Sequence, residues 1–249
     1  MKRKDVEVSE SGPALKKAKR AIKRLPPRVA NFAARLEFKS LQANGHCVVP
    51  NVISKEEVES IKKGFWDWLE GFNTGIKVCD AFDLSINTND LQREDSKTWT
   101  AKNWPPSIHG IIQQLRIGQQ GFVWEARQNR KIAQVFADLW GVKPEELLVS
   151  FDGAFASFAP KSSEKAWPHV DQGPRLQGVQ CVQGFINLMP CDESQGGLVV
   201  WDKSHLKHEE YFTKLGKLDA KGDWHKFDEK DMQFFGDCKR IKVCHFFWS

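Results

Sequence analysis

Apolar residues in the first half of the chain recur at helical spacing in two segments. In residues 55–72, apolar side chains return every three or four positions. Ser54 and Glu57 at the start of this segment have the spacing of a capping box. A second segment of the same kind follows Asn129 and ends at Gly141, a residue typical of helix C-termini. The sequence therefore predicts two amphipathic helices.

The second half of the chain changes to short apolar runs separated by turn residues. Asp152 and Gly153 lie between two such runs, 147–151 and 154–158, which predicts a β-hairpin. Further short strands are predicted at 45–50, 179–188, 197–201 and 240–244. The polar residues 73–98 lack periodicity and predict a long loop of the kind that often acts as a lid. Helices followed by short strands indicate an α+β fold with an antiparallel sandwich or barrel as its core.

Residues 1–28 differ from the rest of the chain in charge and in apolar content. They carry ten basic and three acidic residues, have no large aromatic side chain and end near Pro26 and Pro27. Such a segment cannot bury enough apolar surface to offset its chain entropy, so we expect a disordered basic tail. The folded domain would then comprise residues 29–249. Because this domain carries a slight net negative charge, we expect nucleic-acid binding to be limited to non-specific contacts by the tail.

Composition narrows the compartment in which the protein is expected. No apolar run approaches the length of a membrane span, and no apolar segment of a secretory signal follows the N-terminal basic residues. The six cysteines form no C-x-x-C pair, which argues against a zinc finger and favours a reducing compartment. The basic clusters at 2–4 and 16–20 resemble nuclear-import signals, although a solvated tail explains them equally well. We expect a cytoplasmic or nuclear protein that is neither secreted nor membrane-bound.

The segment that carries chemistry is the H-x-D sequence of His169 and Asp171. At the edge of a strand, alternation directs both side chains to the same face. An imidazole and a carboxylate on one face are two legs of the facial triad that binds non-haem Fe(II) and leaves open coordination positions. A second H-x-[DE] sequence at His208 shows that the motif alone has little specificity.

Longer sequence matches surround this motif. They are Trp-Pro-His-Val-Asp-Gln-Gly-Pro at 167–174, the run 178–184, the glycine-rich run 196–200, Lys-Ser-His at 203–205, and the upstream runs 65–68, 103–105 and 150–153. Together they resemble the phytanoyl-CoA dioxygenase-like branch of the Fe(II)/2-oxoglutarate oxygenases over about residues 40–249. The resemblance implies a double-stranded β-helix, a jelly-roll core with the N-terminal helices packed on it.

The resemblance also implies a site. His169 and Asp171 become two Fe(II) ligands, and Gln183 and Asn187 become residues facing 2-oxoglutarate, with ascorbate as a further cofactor. The reaction would consume dioxygen and hydroxylate a small-molecule or lipid-like substrate. The family places a third histidine ligand and a basic anchor for 2-oxoglutarate beyond the strand at 240–244. Their positions have no counterpart in this chain, so we expect an incomplete jelly roll and an inactive site.

Alternatives stay open for the metal ligands and for the function. His245 is a substitute third ligand, although it comes early in the chain, and His205 with His208 has the spacing of a separate zinc pair. Three hypotheses stay open for the function of the protein. It is an oxygenase, it is a non-catalytic remnant or binding module of the same fold, or it is a nucleic-acid-associated protein that acts through its tail. The substrate and the oligomeric state are not readable from the sequence.

Overall fold

The computed structural model describes most of the chain between residues 30 and 243. The described ranges are 30–71, 91–100, 103–150, 153–156, 167–176, 178–189, 197–216 and 222–243. The predicted tail at 1–28, most of the predicted loop at 73–98, and His245 lie outside these residues.

Six α-helices lie within the described ranges. They are α1 (Leu36–Asn44), α2 (Lys55–Glu70), α3 (Gly121–Gln128), α4 (Arg130–Trp140), α5 (His208–Lys214) and α6 (Glu229–Gln233). Of these described helices, none combines the length and the apolar character needed to cross a bilayer.

The two helices expected from the apolar pattern are confirmed, together with their caps. The Ser54 hydroxyl accepts a hydrogen bond from the Glu57 amide, and the Glu57 carboxylate accepts one from the Ser54 amide, so the capping box is complete at α2. The Asn129 side chain accepts from two amides in the first turn of α4. Gly141 ends α4 with φ +63°, a conformation that glycine adopts with little strain.

Three two-stranded antiparallel sheets complete the described architecture. Their strands are β1 (Ile111–Ile112), β2 (Ala154–Phe155), β3 (His169–Val170), β4 (Val199–Trp201), β5 (His225–Lys226) and β6 (Arg240–Lys242). The pairs are β1 with β2, β3 with β5, and β4 with β6. Among the described residues these sheets do not close into a barrel, and the double-stranded β-helix stays a prediction.

Three clusters of buried apolar side chains lie among the described residues, and two of them, described here as cores, bear on the site. In the first, Val58 and Ile61 of α2 are buried with Phe122 of α3 and Ile112 of β1. The second is an aromatic cluster that joins α5 to the segments around β5 and α6; its buried members are Tyr211, Phe212, Phe227 and Phe235. The first core joins the helices to β1, while the second lies behind β3.

The predicted hairpin at 147–158 is wrong in its pairing. Strand β2 pairs with β1, more than forty residues earlier in the chain, with Ile112 opposite Ala154. Gly153 permits this pairing, because a Cβ atom there would lie 1.8 Å from the Ile112 carbonyl oxygen. Leu148, in the run predicted to form the other strand, is fully exposed and lies in no strand.

Two other predicted strands, 45–50 and 179–188, are also not strands in the described residues. At 45–50 the backbone bonds to other groups, since the His46 carbonyl accepts from the Ser40 hydroxyl. At 179–188 the chain forms no ladder with another described segment, although Ile186 and Leu188 pack on the first core. Burial explains only some of these apolar residues, since Ile186 and Leu188 are partly buried whereas Val48 and Phe185 are exposed.

The Glu57 carboxylate ties α2 to α4 and generates a testable pH dependence. It accepts hydrogen bonds from the backbone amide of Ser54, from the Lys131 ammonium at 3.0 Å and from the side-chain amide of Asn129 at 2.8 Å. These contacts, the Ser54 bond first, lower the pKa of Glu57 to about 2. In model peptides, which represent the unfolded chain, the pKa of glutamate is about 4.3. The contacts therefore stabilise the fold above about pH 4.3, and that stabilisation is lost as the pH falls towards about 2.

We predict that Glu57→Gln lowers the urea midpoint of unfolding at pH 7 and that the difference from wild type shrinks steadily between about pH 4 and about pH 2. Glu94→Gln, which removes the charge of an exposed glutamate, is the control. Its urea midpoint is expected to equal that of the wild type at pH 7 and at about pH 2. A Glu57→Gln deficit that persists unchanged at about pH 2 would contradict this account.

Candidate metal site

Strand β3 separates a packed face from a polar face. Val170 contacts the aromatic cluster around Tyr211. Because side chains alternate along an extended chain, His169 and Asp171 lie on the opposite face, as the H-x-D spacing predicts. The two candidate ligands are thus presented by a strand whose other face is fixed in a core.

Strand β5 holds β3 in place from the side. The Phe227 amide donates to the Pro168 carbonyl at 2.9 Å, which extends the ladder beyond the two strands. On the packed face, the Tyr211 hydroxyl lies 3.2 Å from His225 Nε2. Burial, and secondarily a hydrogen bond to Asp231, raise the pKa of Tyr211, so the phenol keeps its proton at physiological pH.

The ring of His169 is fixed in orientation and in tautomer. Its Nδ1 lies 2.9 Å from the Trp167 carbonyl oxygen, and a carbonyl can only accept, so Nδ1 carries the proton and donates. The imidazole also stacks on the Trp167 indole, with centroids 4.1 Å apart and planes 5° from parallel. In the neutral imidazole the lone pair is then on Nε2, as in the histidine ligands of metal sites that donate their other ring nitrogen to a carbonyl.

The Asp171 carboxylate faces that lone pair. Asp171 Oδ1 lies 3.7 Å from His169 Nε2, and Oδ2 accepts from the Gln183 side-chain amide at 2.9 Å. Two acceptors at this distance repel unless a proton or a metal cation lies between them. Imidazole nitrogen and carboxylate oxygen are donors that non-haem Fe(II) takes, so these two side chains would hold such an ion.

The turn after Asp171 is held by hydrogen bonds and by close backbone packing. The Gln172 side-chain amide donates to the Leu176 carbonyl at 3.1 Å and to the Gly178 carbonyl at 3.0 Å. Gly173 packs directly on the backbone ahead of β5, where a Cβ atom would lie 2.0 Å from the Gly222 carbonyl oxygen. The position of Asp171 is thereby set by close backbone packing on one side and by hydrogen bonds on the other.

Aromatic rings form a row through the site. His109 stacks on Trp167 at 4.2 Å, Trp167 on His169 at 4.1 Å, and the Trp224 ring lies 5.9 Å from His169. Two nearly parallel rings this close to one indole centroid would overlap if they shared a face, so His109 and His169 lie on opposite faces of Trp167. His109 is therefore kept apart from the ion position between His169 and Asp171.

A second histidine–aspartate pair in the fold shows why the orientation of the ring matters. His46 Nδ1 lies 3.7 Å from Asp202 Oδ1, the same separation as at His169. That same Nδ1, however, is 3.3 Å from the Asn44 carbonyl oxygen, so it is the protonated nitrogen that faces the carboxylate. The His46 pair is therefore a donor facing an acceptor, whereas His169 and Asp171 are two acceptors.

The predicted zinc pair of His205 and His208 is engaged elsewhere. His205 Nε2 lies 3.1 Å from the Gln42 carbonyl oxygen, and His208 Nε2 lies 3.0 Å from the Gln172 carbonyl oxygen. Each ring thus bonds a backbone carbonyl of a different segment. His208 in this way also holds the turn that follows Asp171.

The residues predicted to face 2-oxoglutarate differ in how they relate to this site. Gln183 is brought to the site by its hydrogen bond to Asp171, while Asn187 lies half-buried four residues further along the same segment. Two aromatic neighbours of His169 were not among the predicted site residues. Trp167 was detectable, since it precedes His169 by two positions, but Trp224 reaches the site through the non-local pairing of β5 with β3.

The described ranges contain no group of three or more histidine, cysteine, aspartate or glutamate side chains placed to hold one metal ion. His169 and Asp171 are thus candidate ligands for two positions only, and the metal site stays a prediction. The proposed substitute ligand His245 lies outside the residues that the structure describes.

The chain is similar to a protein from Aspergillus versicolor named Ava biosynthesis cluster protein O, with 32% identity over 194 residues. The aligned region makes up 77% of this chain and 56% of that relative, so the chain spans little more than half the length of the curated relative it matches. No protein-family model matches the chain. No solved structure matches it.

The contact between Gln183 and Asp171 predicts an effect on metal affinity. Gln183→Met keeps the length of the side chain but removes the donor to Asp171 Oδ2, which frees the carboxylate to rotate. We expect the affinity for Mn(II) to fall about tenfold, the effect of losing a hydrogen bond to a metal ligand.

Gln128→Met, at the exposed end of α3, is the matched control and should bind Mn(II) as the wild type does. The free Mn(II) signal in electron paramagnetic resonance measures both variants. Equal affinities for the two variants would show that the Gln183 contact does not orient Asp171.

Proposed function

We propose that this protein is an Fe(II)/2-oxoglutarate-dependent dioxygenase of the phytanoyl-CoA dioxygenase-like kind that hydroxylates a small-molecule or lipid-like substrate. The observation that carries the proposal is the pair of acceptors, His169 Nε2 and Asp171 Oδ1, held 3.7 Å apart on one face of β3. An imidazole nitrogen and a carboxylate oxygen that face each other are the donor types that a divalent transition-metal ion takes.

The residues of the chain divide the work of such a site. His169 and Asp171 would hold the ion, the Trp167 carbonyl accepts the hydrogen bond of the His169 Nδ1 proton, and Gln183 orients the Asp171 carboxylate. The iron, when bound with 2-oxoglutarate and dioxygen, supplies the oxidising chemistry. The protein contributes ligation, orientation and the exclusion of water.

The relative from Aspergillus versicolor also supports the proposal of an enzyme. Its name places that protein in a biosynthesis cluster, which fits an enzyme that modifies a small molecule. The similarity extends over 77% of this chain, and on that extent we propose a shared biosynthetic role. For the compartment we propose the cytoplasm or the nucleus, on the basic clusters at 2–4 and 16–20.

A non-catalytic binding module of the same ancestry is the second candidate. It is favoured by the count of donors, since the described residues supply two protein ligands where the facial triad uses three. The nucleic-acid alternative depends on residues 1–28, which lie outside the described residues.

The metal prediction follows from the acceptor pair. We expect Mn(II) or Fe(II), titrated anaerobically, to bind weakly to the wild type and to lose at least about tenfold in affinity in His169→Ala and in Asp171→Asn, since even an outer hydrogen bond is worth that much. His46→Ala is the control, because its pair with Asp202 has the same separation but the opposite polarity. Binding that survives His169→Ala unchanged would contradict the assignment.

Turnover separates the enzyme from the binding module. Succinate is measured after incubation with Fe(II), ascorbate and 2-oxoglutarate, for the wild type and for Asp171→Ala. The proposed dioxygenase predicts succinate formation by the wild type and none by Asp171→Ala. Succinate formation that is abolished in Asp171→Ala would establish the enzyme, and metal binding without succinate would favour the binding module.

A further inference from the structure

Lys226 lies directly opposite His169 in the pairing of β3 with β5. The Phe227 amide bonds to the Pro168 carbonyl, so the neighbouring pair of His169 and Lys226 is the pair that exchanges no backbone hydrogen bonds. At such pairs the two side chains approach most closely, with Cβ atoms roughly 4.5–5.5 Å apart.

The side chains of β5 alternate in a way that places Lys226 on the same face as His169. Trp224, two residues before Lys226, has its ring 5.9 Å from the His169 ring. His225, between them, contacts Tyr211 in the core behind the sheet. Trp224 and Lys226 therefore lie on the polar face beside His169, and His225 between them points into the core.

Both flanking side chains are accessible to a ligand. Trp224 is 50% exposed, although indole rings usually bury most of their surface. Lys226 is exposed, and in the part of the chain that the structure describes its ammonium forms neither an ion pair nor a hydrogen bond. The nearby Asp171 carboxylate does not neutralise it, since Asp171 faces His169 and accepts from Gln183.

We infer that Trp224 and Lys226 form the subsite for the substrate of this site, and that the substrate is a small carboxylic acid with an aromatic or flat apolar part. The ammonium of Lys226 binds the carboxylate through a charge-assisted hydrogen bond. The indole of Trp224 packs against the apolar part. The inference rests on the proposed function in that it names the substrate of the same metal site.

The probe is 3-phenylpropanoate, with its neutral amide as the matched ligand, and binding is measured by ligand-observed nuclear magnetic resonance on the full chain without added metal. We expect the wild type to bind the acid about tenfold more tightly than the amide, because hydrogen bonds to charged groups are the stronger class. Lys226→Met should lose that preference, while Lys226→Arg should keep most of it.

Two further variants control for the fold and for general charge. Trp224→Leu should weaken the acid and the amide alike, by about two- to tenfold, since the stacking partner is lost without a change in charge. Lys230→Met removes an exposed lysine of α6 and should bind both ligands as the wild type does. Circular dichroism of each variant verifies that the chain remains folded.

The outcomes distinguish this inference from the proposed function. Equal binding of acid and amide by the wild type, or acid binding that survives Lys226→Met, would overturn the subsite. Loss of 2-oxoglutarate binding alone in Lys226→Met would also overturn it, because the lysine would then serve the co-substrate. Acid binding that depends on Lys226, in a protein that fails to bind Mn(II), would support the subsite and reject the metal site.

Discussion

The pairing of β3 with β5 is the interaction on which the site depends. Two residues of each strand pair, His169–Val170 with His225–Lys226, and this short ladder divides the aromatic core from the polar face. Val170 and His225 face the cluster around Tyr211, and the residues that alternate with them face outward. A change that separates the two strands would displace the candidate ligands and the candidate substrate contacts together.

Within the site, the tautomer of one histidine decides what the geometry means. His169 donates through Nδ1 to a backbone carbonyl and so presents a lone pair to a carboxylate. His46 and Asp202 have the same separation, but the protonated nitrogen faces the acid. A distance between imidazole and carboxylate therefore does not distinguish the two pairs, whereas the ring nitrogen that faces the acid does.

Local signals in the sequence predicted the local parts of the structure. Helix α2, with its capping box at Ser54 and Glu57, and helix α4, between Asn129 and Gly141, were predictable because caps and apolar periodicity act over a few residues. The common face of His169 and Asp171 followed in the same way from strand alternation.

The pairing of strands was not predictable, because it is decided by contacts between residues distant in the chain. Asp152 and Gly153 indicated a hairpin, yet the absence of a side chain at Gly153 serves a close contact with the Ile112 carbonyl. Trp224 reaches His169 in the same non-local way, and no pattern near Trp224 indicates it. The candidate ligands were thus readable from the sequence, but Trp224 and Lys226 beside them were not.

The central claim is that His169 Nε2 is an unprotonated metal ligand, and its tautomer can be observed directly. In the protein with 15N-labelled histidine, two-bond proton–nitrogen correlation spectra distinguish protonated from unprotonated ring nitrogens. The account predicts that at about pH 8 the His169 ring carries its proton on Nδ1, and that Zn(II) shifts Nε2 of His169 while the His46 signals stay in place. A proton on Nε2 of His169, or an equal response of His46 to Zn(II), would contradict it.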